Sequence, residues 1–278
     1  MNLAPNLEDV KRYWHENPVH SIEFSQTCEA SEKDLRAYFD FIDATRWSEN
    51  ERWAEPNFYG FGIDGKARIL DAGCGIGVFT RYYARKGLDV TAVDIAPSAV
   101  AMTRRSLELF HLEGKVEQAS VENLPFTANT FDFVVSNGVI HHTPNTEAAV
   151  AELHRVLKPG GKASVCVYYR NLLLREPLWP LVRAALPLFL KAAPGRENLV
   201  AAPSPEDFVK AYDGNSTPIA RVYSRAQADH LFAPFRILRR EPHYFPARFL
   251  KFLRVGGPVH WALDRTFGCL IYYLLQKA

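Results

Sequence analysis

The chain has 278 residues, of which 47% are hydrophobic, so it can bury a large core. We predict one α/β domain with additions, or at most two domains. Its 33 Lys and Arg against 31 Asp and Glu give a formal charge of +2, which argues against nucleic acid as a partner and favours a small or neutral molecule. Its four cysteines form no Cys-x-x-Cys pair, which argues against a structural zinc site or a disulfide framework.

Two segments bear on location. The N-terminal stretch MNLAPNLEDVKRYWHENP lacks the unbroken apolar core of a secretion signal, and together with the unpaired cysteines this predicts a cytoplasmic protein. The most apolar stretch, beginning at Leu172, is interrupted by Arg175, Glu176, Arg183, Pro177, Pro180 and Pro187. These residues argue against a membrane-spanning helix but leave open a peripheral contact with a membrane surface.

Residues 1 to about 60 are predicted to form an N-terminal helical lid. Two amphipathic patterns indicate its helices, and the second follows a Ser31-x-x-Asp34 capping pattern. Their apolar faces consist of Leu7, Val10 and Trp14 in the first, and of Leu35, Tyr38, Phe39 and Ile42 in the second. Such helices have to pack on a larger body.

Residues 61–278 are predicted to form a doubly wound, Rossmann-like α/β domain. The strands ARILDA, LDVTAV, KVEQA, FDFVVS and KASVCVYY alternate with helical patterns, which is typical of a parallel sheet. One helix is expected to stop at Gly87, one to carry Pro97 in its first turn, and one to end at Lys158–Gly161. Two late runs, FRILRREPHYF and GCLIYYLLQK, would complete seven strands, with a helical cap insertion at about 171–230 before them.

A glycine turn follows the first strand of this sheet. The strand ends at Asp71, and Gly73, Gly75 and Gly77 precede the next helix. Glycine permits positive φ and a close backbone approach, and the helix beyond offers free N–H groups, so the turn predicts a ligand site.

The spacing of the turn distinguishes between ligands. A dinucleotide fingerprint needs a third glycine where this chain has Val78, and Asp71 would sit poorly against a pyrophosphate. A carboxylate there suits an ammonium group instead. Asp94 ends the second strand, where it can accept hydrogen bonds from both hydroxyls of a ribose, or cap the helix that begins near Pro97.

Four stretches together resemble class I S-adenosylmethionine-dependent methyltransferases, particularly the small-molecule group of quinone and natural-product type. They are ILDAGCGIG, VTAVDIAPSAV, VENLPFTANTFDFVVSNGVIHH and ELHRVLKPGG. The tail GCLIYYLLQK resembles the last antiparallel strand of that family, and VKRYWHENP resembles a lid segment found in part of it.

The resemblance implies S-adenosylmethionine as the cofactor and assigns its contacts. The residues it implies are Tyr13, Asp71, Ala72, Gly73, Cys74, Gly75, Asp94, Ile95, Ser120, Val121, Asn137 and Gly138. Of these, Asp71 and the glycines would contact the methionine part, Asp94 and Ile95 the ribose and adenine, and Asn137 the region of the sulfonium. Many relatives have an acidic residue where this chain has Ser120, whose hydroxyl accepts a hydrogen bond more weakly.

Methyl transfer from a sulfonium is an in-line displacement, so the protein mainly has to align the reactants and exclude water, and no metal is required. An acceptor with a proton to lose would need a base. His141 and His142 follow the fourth strand and are the candidate bases, although histidines in this place can instead contact the cofactor or cap a helix. The alternative for His142, His20 and Tyr13 is that they only shape the pocket.

The acceptor is expected to be a small, apolar or aromatic molecule. The chain lacks an Asn/Asp-Pro-Pro-Tyr/Phe box after the fourth strand, which disfavours a nucleic-acid base as acceptor. Aromatic residues could form an apolar chamber or could simply be core. They are Tyr13, Trp14, Phe39, Trp47, Trp53, Phe58, Tyr59, Trp179, Phe189 and Tyr212.

Three alternatives remain open at this level. One is a lipid or quinone methyltransferase at a membrane surface, indicated by the Leu172 stretch and by Arg248, Lys251 and Arg254 among apolar residues. Another is a protein that binds the cofactor but uses the sulfonium for non-methyl chemistry. The third is a nicotinamide-dependent dehydrogenase. Oligomeric state is left undetermined.

Overall fold

The computed structural model describes residues 5–17, 32–47, 54–60, 63, 65–189, 198–212, 217–244 and 257–278. The described helices, in chain order, are α1 (Leu7–Glu16), α2 (Glu32–Thr45), α3 (Val78–Arg85), α4 (Pro97–Leu109), α5 (Thr146–Val156), α6 (Trp179–Phe189), α7 (Asn198–Ala201), α8 (Pro205–Tyr212), α9 (Arg225–Leu231) and α10 (Gly257–Phe267). The strands are β1 (Arg68–Ala72), β2 (Asp89–Asp94), β3 (Lys115–Gln118), β4 (Phe131–Asn137), β5 (Leu157–Tyr169), β6 (Val222–Tyr223), β7 (Arg236–His243) and β8 (Leu270–Gln276). Short 3-10 turns cover Ile140–His142 and Leu172–Leu174, and a π-helical turn covers Glu55–Tyr59.

The strands form one sheet in the order β3-β2-β1-β4-β5-β8-β7, with the two-residue β6 beside β5. β8 runs antiparallel to both of its neighbours, whereas β1 to β5 pair in parallel. Because the strand order reverses at β1, the carboxyl ends of β1, β2 and β4 meet at one edge around a crevice. The predicted seven-stranded, doubly wound fold is confirmed, and β6 is an addition that the sequence did not reveal.

Neighbouring residues of each strand supply opposite faces of the sheet. Leu70, Val134 and Val165 belong to one buried cluster, which also contains apolar residues of α5 and α9. Ile69 and Val135 belong to another, which includes residues of α3 and of the 55–59 turn. Because both faces are covered, successive residues in the middle of these strands are apolar instead of alternating with polar ones.

A buried ion pair joins α2 to α3. The Arg81 guanidinium is fully buried and donates to both carboxylate oxygens of Asp43, at 3.0 and 2.5 Å, and to the Ile76 carbonyl at 2.6 Å. Arg85 adds a second donor to Asp43 at 2.6 Å. The two predicted amphipathic helices are observed as α1 and α2, and Val10, Tyr38, Phe39 and Ile42 are buried as their patterns require.

One predicted boundary is wrong. The helix expected to run into Lys158–Gly161 ends at Val156, and β5 begins at Leu157. Leu157 already has extended backbone dihedrals, φ −70° and ψ 141°, and pairs with Phe131 of β4, and Pro159 then disfavours helical geometry at Lys158, the residue before it. Leu157 still packs in the same core cluster as Val150 and Leu153, which is why it continues the apolar stripe.

The segment after β5 is mostly helical, and Trp179 of α6 packs edge-on against Phe208 of α8, with ring centroids 5.4 Å apart. None of the helices described is both long and apolar enough to cross a membrane. Several sequence-based hypotheses lie outside the described residues or side chains: those on His20, Trp53, Phe189, Tyr212, Arg248, Lys251 and Arg254.

Candidate functional site

The glycine turn lies at the edge where β1, β2 and β4 end. Gly73 has φ +90°, and a Cβ at that position would stand 2.4 Å from Cγ2 of Val139. The Gly73 and Cys74 N–H groups donate to the Val93 carbonyl, at 2.8 and 2.9 Å, which ties the turn to β2. Glycine is therefore required at position 73 by its positive φ and by the close packing of Val139 against it.

Asp71 is a buried carboxylate directly before this turn. Its Oδ2 accepts a 2.6 Å hydrogen bond from the Thr80 hydroxyl. Burial raises the pKa of Asp71 to about 7, and the charge of Asp94 adds to the rise, whereas Thr80 and the charge of Arg46 act against it. A carboxylate this poorly solvated is poised to receive a cation such as an ammonium group.

Asp94 is the last residue of β2, and its carboxylate accepts a hydrogen bond from the backbone of the glycine turn. Its Oδ2 accepts from the Gly75 N–H and its Oδ1 from the Ala96 N–H, each at 2.9 Å. Burial raises the pKa of Asp94 as well. Asp94 therefore does not cap the helix that follows, whose N-cap residue is Ala96 and has no side-chain cap. Its carboxylate holds the backbone on both sides of the turn and can still accept from a hydroxyl.

Cys74 is buried within the turn beside α4. Burial raises the pKa of its thiol well above the ordinary range, so the group stays protonated. Thr103 donates to the Gly75 carbonyl at 2.9 Å and contacts the Cys74 sulfur at 3.5 Å. These contacts hold the turn rigidly rather than preparing a nucleophile.

The segment that follows β3 lies beside the end of β2. The Ala119 N–H donates to the Asp94 carbonyl at 3.0 Å, which brings half-buried Ser120 and buried Val121 near half-buried Ile95. The Ser120 hydroxyl accepts from the Glu122 N–H at 3.1 Å. The Ser120 oxygen, which was expected to accept a hydrogen bond from an adenine amino group, therefore already accepts one from the backbone.

Asn137 ends β4, and two side chains hold its amide. Its Oδ1 accepts from Arg46 at 2.9 Å, and its Nδ2 donates to the Tyr59 hydroxyl at 2.6 Å. The Arg46 guanidinium also lies 4.9 Å from the centre of the Phe79 ring. Next to Asn137, the Gly138 N–H contacts the Cys166 sulfur at 3.1 Å.

Sequence analysis did not single out Arg46, and it left Tyr59 as chamber or core. Arg46 lies one residue beyond α2, where an amphipathic pattern gives no sign that a basic side chain turns inward. Of the other front aromatics, Phe39 and Phe58 are fully buried, and Trp47 stacks on Tyr82 with ring centroids 4.4 Å apart. These three side chains therefore belong to the packed core and do not line a chamber.

The two histidines lie in the 140–142 turn and are both buried. His141 packs against the rings of Tyr168 and His142, with centroids 4.3 and 4.2 Å apart. Burial, and then the charge of His142, hold the pKa of His141 well below its usual range. Within the described part of the chain, neither ring nitrogen of His141 has a hydrogen-bond partner.

His142 is reached by the N-terminal helix and by the segment before β6. Trp14 of α1 meets its ring edge-on, with centroids 5.1 Å apart, and Tyr13 packs edge-on against Trp14 at 5.2 Å. The Nδ1 atom of His142 lies 2.7 Å from the Ile219 carbonyl oxygen. Tyr13 therefore lies one side chain away from the histidines, on a helix that also contacts α4 through the Ser98 hydroxyl and the His15 carbonyl, 3.1 Å apart.

Comparison with known proteins finds relatives of the segment that contains the glycine turn and the histidine turn. Residues 70–165 match the family described as "Methyltransferase domain". A malonyl-[acyl-carrier protein] O-methyltransferase of Enterobacter lignolyticus is 40% identical over 95 residues, 34% of this chain and 36% of that protein. A ubiquinone biosynthesis O-methyltransferase of Xanthomonas oryzae pv. oryzae is 40% identical over 101 residues, 34% of this chain and 41% of that protein.

The matched segment thus spans well under half the length of these two relatives. The fold likeness extends further. A solved S-adenosylmethionine-dependent methyltransferase from Methanosarcina mazei superposes with a TM-score of 0.53 at 20% identity, covering 77% of this chain and 94% of that one. At that identity the superposition establishes the fold alone.

Proposed function

We propose that this chain, whose residues 70–165 match a methyltransferase domain, is a class I S-adenosylmethionine-dependent methyltransferase that transfers a methyl group from that cofactor to a small molecule. The observation that carries the proposal is the buried Asp71 carboxylate directly before the glycine turn, with its Oδ2 held by the Thr80 hydroxyl and its pKa raised to about 7. A pyrophosphate would meet repulsion there, so a nicotinamide dinucleotide is disfavoured.

In this proposal the cofactor lies along the edge formed by β1, β2 and β4. Its ammonium group would pair with Asp71, its ribose hydroxyls with Asp94, and its adenine with the segment around Ile95, Ser120 and Val121. The remaining proposed contacts are Tyr13, Ala72, Gly73, Cys74, Gly75, Asn137 and Gly138. When bound, S-adenosylmethionine supplies a methyl group already activated on a sulfonium, so the chain's own residues have to orient the acceptor and take its proton.

We assign an acceptor with an oxygen, nitrogen or carbon nucleophile and an apolar or aromatic body. Both relatives named above are O-methyltransferases, which favours oxygen. His141 and His142 are the proposed bases; the low pKa of His141 keeps its imidazole neutral, but the same burial penalises its protonated form and so favours His142 as the proton acceptor. A cytoplasmic location belongs to the same proposal.

The test is binding followed by turnover. Calorimetry should show binding of S-adenosylmethionine and of its demethylated product, and a screen of small hydroxylated and carboxylated acceptors should then show methyl transfer. Replacing both His141 and His142 by Ala is expected to lower turnover about 100-fold. If the double variant keeps its turnover and only its affinity for the cofactor changes, this result contradicts the role of the two histidines as bases. Cofactor binding without transfer to any acceptor favours the alternative of non-methyl chemistry.

Arg46 extends this site and gives a second prediction. A guanidinium binds a carboxylate through two parallel hydrogen bonds, and Arg46 lies between Asn137 and the neighbourhood of Asp71. It therefore suits the carboxylate of the cofactor while Asp71 takes the ammonium group. Arg46→Met is expected to weaken binding of the demethylated cofactor about 10-fold in calorimetry.

The control for Arg46 comes from the same helix. Arg36 is exposed on α2 and donates to the Leu109 carbonyl at 2.8 Å, so Arg36→Met removes an equal charge without touching the turn. It should bind the cofactor as the unmodified protein does. Equal affinities for both variants would contradict the role given to Arg46.

One observation favours a membrane-surface version of this function. Leu172, Leu181, Val259 and Trp261 are large apolar side chains that are 40, 71, 59 and 61% exposed. They lie on the 172–174 turn, α6 and α10, elements that neighbour one another. Flotation with anionic vesicles distinguishes this version, because a protein that stays wholly out of the vesicle fraction does not act at a membrane.

A further inference from the structure

The segment that leads into β6 is fastened to the turn that carries the two histidines. The Arg221 N–H donates to the His141 carbonyl at 3.0 Å. Two residues earlier, the Ile219 carbonyl oxygen lies 2.7 Å from Nδ1 of His142. The backbone of residues 219–221 therefore contacts both histidines, one through its main chain and the other through its ring.

The side chain of Arg221 strengthens this attachment. Its guanidinium donates to the Thr143 carbonyl, to the Pro144 carbonyl at 2.8 Å and to the Thr146 hydroxyl at 3.2 Å. Thr143 and Thr146 are buried, so the guanidinium reaches well into the fold. These acceptors directly follow the 140–142 turn and begin α5. Arg221 thus fixes the distance between the histidine turn and residues 219–221.

The contact at His142 determines which nitrogen carries the proton. A carbonyl oxygen only accepts, so in the neutral ring Nδ1 must be the N–H donor and Nε2 must hold the lone pair. Three rings limit rotation of the imidazole: Trp14, Tyr168 and His141, at centroid distances of 5.1, 5.8 and 4.2 Å. Of the titratable groups among these, His141 is held neutral by its low pKa, and Tyr168 is buried on β5.

We propose that Arg221 is a positioning residue that keeps the Ile219 carbonyl on Nδ1 of His142, and so makes Nε2 the atom that accepts the acceptor's proton. This second part rests on the proposed function. For a hydroxyl acceptor, the oxygen forms its bond to the methyl carbon as the bond from carbon to sulfur breaks, and the electron pair of that bond stays on sulfur. The hydroxyl proton passes to Nε2, and the resulting imidazolium is stabilised through Nδ1–H by the Ile219 carbonyl.

The first test reads the tautomer directly. Protein labelled with 15N-histidine is examined by NMR correlations through the imidazole at pH about 9, above the ordinary histidine pKa, and the His142 signals are assigned with His142→Asn. The unmodified protein should show His142 protonated on Nδ1. Arg221→Ala should convert this signal to a mixture of both tautomers. A wild-type signal protonated on Nε2, or an unchanged pattern in Arg221→Ala, overturns the proposal.

Tyr223→Phe is the matched control. It removes a 3.1 Å hydrogen bond to the same Thr146 hydroxyl but leaves the contacts of Arg221 with the Thr143 and Pro144 carbonyls. It should keep the Nδ1–H tautomer, and loss of that tautomer here would overturn the specific role of Arg221. Should Arg221→Ala fail to fold, Arg221→Lys, which retains the charge but not the planar fork, is expected to give the same mixture to a lesser degree.

Turnover tests the second part separately. Arg221→Ala is expected to lower kcat about 10-fold with little change in KM, because only part of the His142 population then presents a lone pair on Nε2. An unchanged kcat in a variant that has lost the tautomer overturns the assignment of Nε2 as proton acceptor. If the NMR result holds and no acceptor is ever methylated, the proposed function fails while the positioning role of Arg221 stands.

Discussion

Asp71→Asn is expected to weaken cofactor binding about 100-fold and, at the same time, to make the ligand-free protein more stable at pH about 8. The first effect follows from the loss of the negative charge proposed to meet the ammonium group. The second follows from burial, which raises the pKa of Asp71 to about 7 and so makes its ionised form costly in the folded chain. Asparagine keeps an oxygen that can accept from the Thr80 hydroxyl.

The sign of the pH dependence follows from proton binding. An unfolded chain releases this proton near pH 4, whereas the folded protein keeps it until about pH 7. Between these values the folded state binds more protons, so Asp71 makes stability fall as pH rises through this window. The gain from Asp71→Asn should therefore be on the order of 4 kcal/mol above pH about 7 and approach zero near pH about 4.

Thermal unfolding at pH about 8 and about 5, with calorimetry for the cofactor, measures both effects. Asp89→Asn is the matched control, because Asp89 begins β2 as an exposed carboxylate 3.4 Å from Arg68 and lies at the opposite end of the strand from Asp94. It should change neither quantity appreciably. A stability gain of the same size at every pH would show that packing, and not ionisation, is responsible.

The parts of the fold and site that sequence predicts are those encoded locally. Strands such as β1 and β4 contain buried apolar residues on both faces because both faces are covered, and each has a polar residue at or next to its carboxyl end, Asp71 in β1 and Asn137 in β4. Asp71, Gly73 and Gly75 lie within five residues of one another, and the strand order places Asp94 and Asn137 at the same edge. Their juxtaposition follows from the parallel topology alone.

The parts that sequence missed depend on contacts between distant segments. Arg46 meets Asn137 across 91 residues and Arg221 meets Thr143 across 78, and no periodicity reports such a pairing. A basic residue past the end of an amphipathic helix is ordinarily solvated, and only the tertiary fold turns Arg46 inward. The same limit explains the α5 boundary, where the apolar stripe continued through Leu157 although the backbone had already become extended.

Asp43→Ala is expected to destabilise the protein by about 3–5 kcal/mol. Asp43 is the carboxylate partner of Arg81, and its removal would leave a fully buried guanidinium. Among the described residues, its remaining contacts are a hydrogen bond to the Ile76 carbonyl and the Phe39 ring 4.5 Å away. A buried charge without its partner costs far more than an exposed pair contributes. The measurement is urea unfolding at neutral pH.

Asp40→Ala on the same helix provides the control, since the Asp40 side chain is 58% exposed and lies 3.8 Å from Arg85, whereas that of Asp43 is 7% exposed. It should cost well under 1 kcal/mol. The pair Asp43–Arg81 also fixes α2 against α3, and α2 carries Arg46 toward Asn137. Asp43→Ala should therefore weaken cofactor binding under conditions where the variant is still folded. If Asp43→Ala and Asp40→Ala prove equally stable, the buried pair does not make the contribution to stability proposed for it.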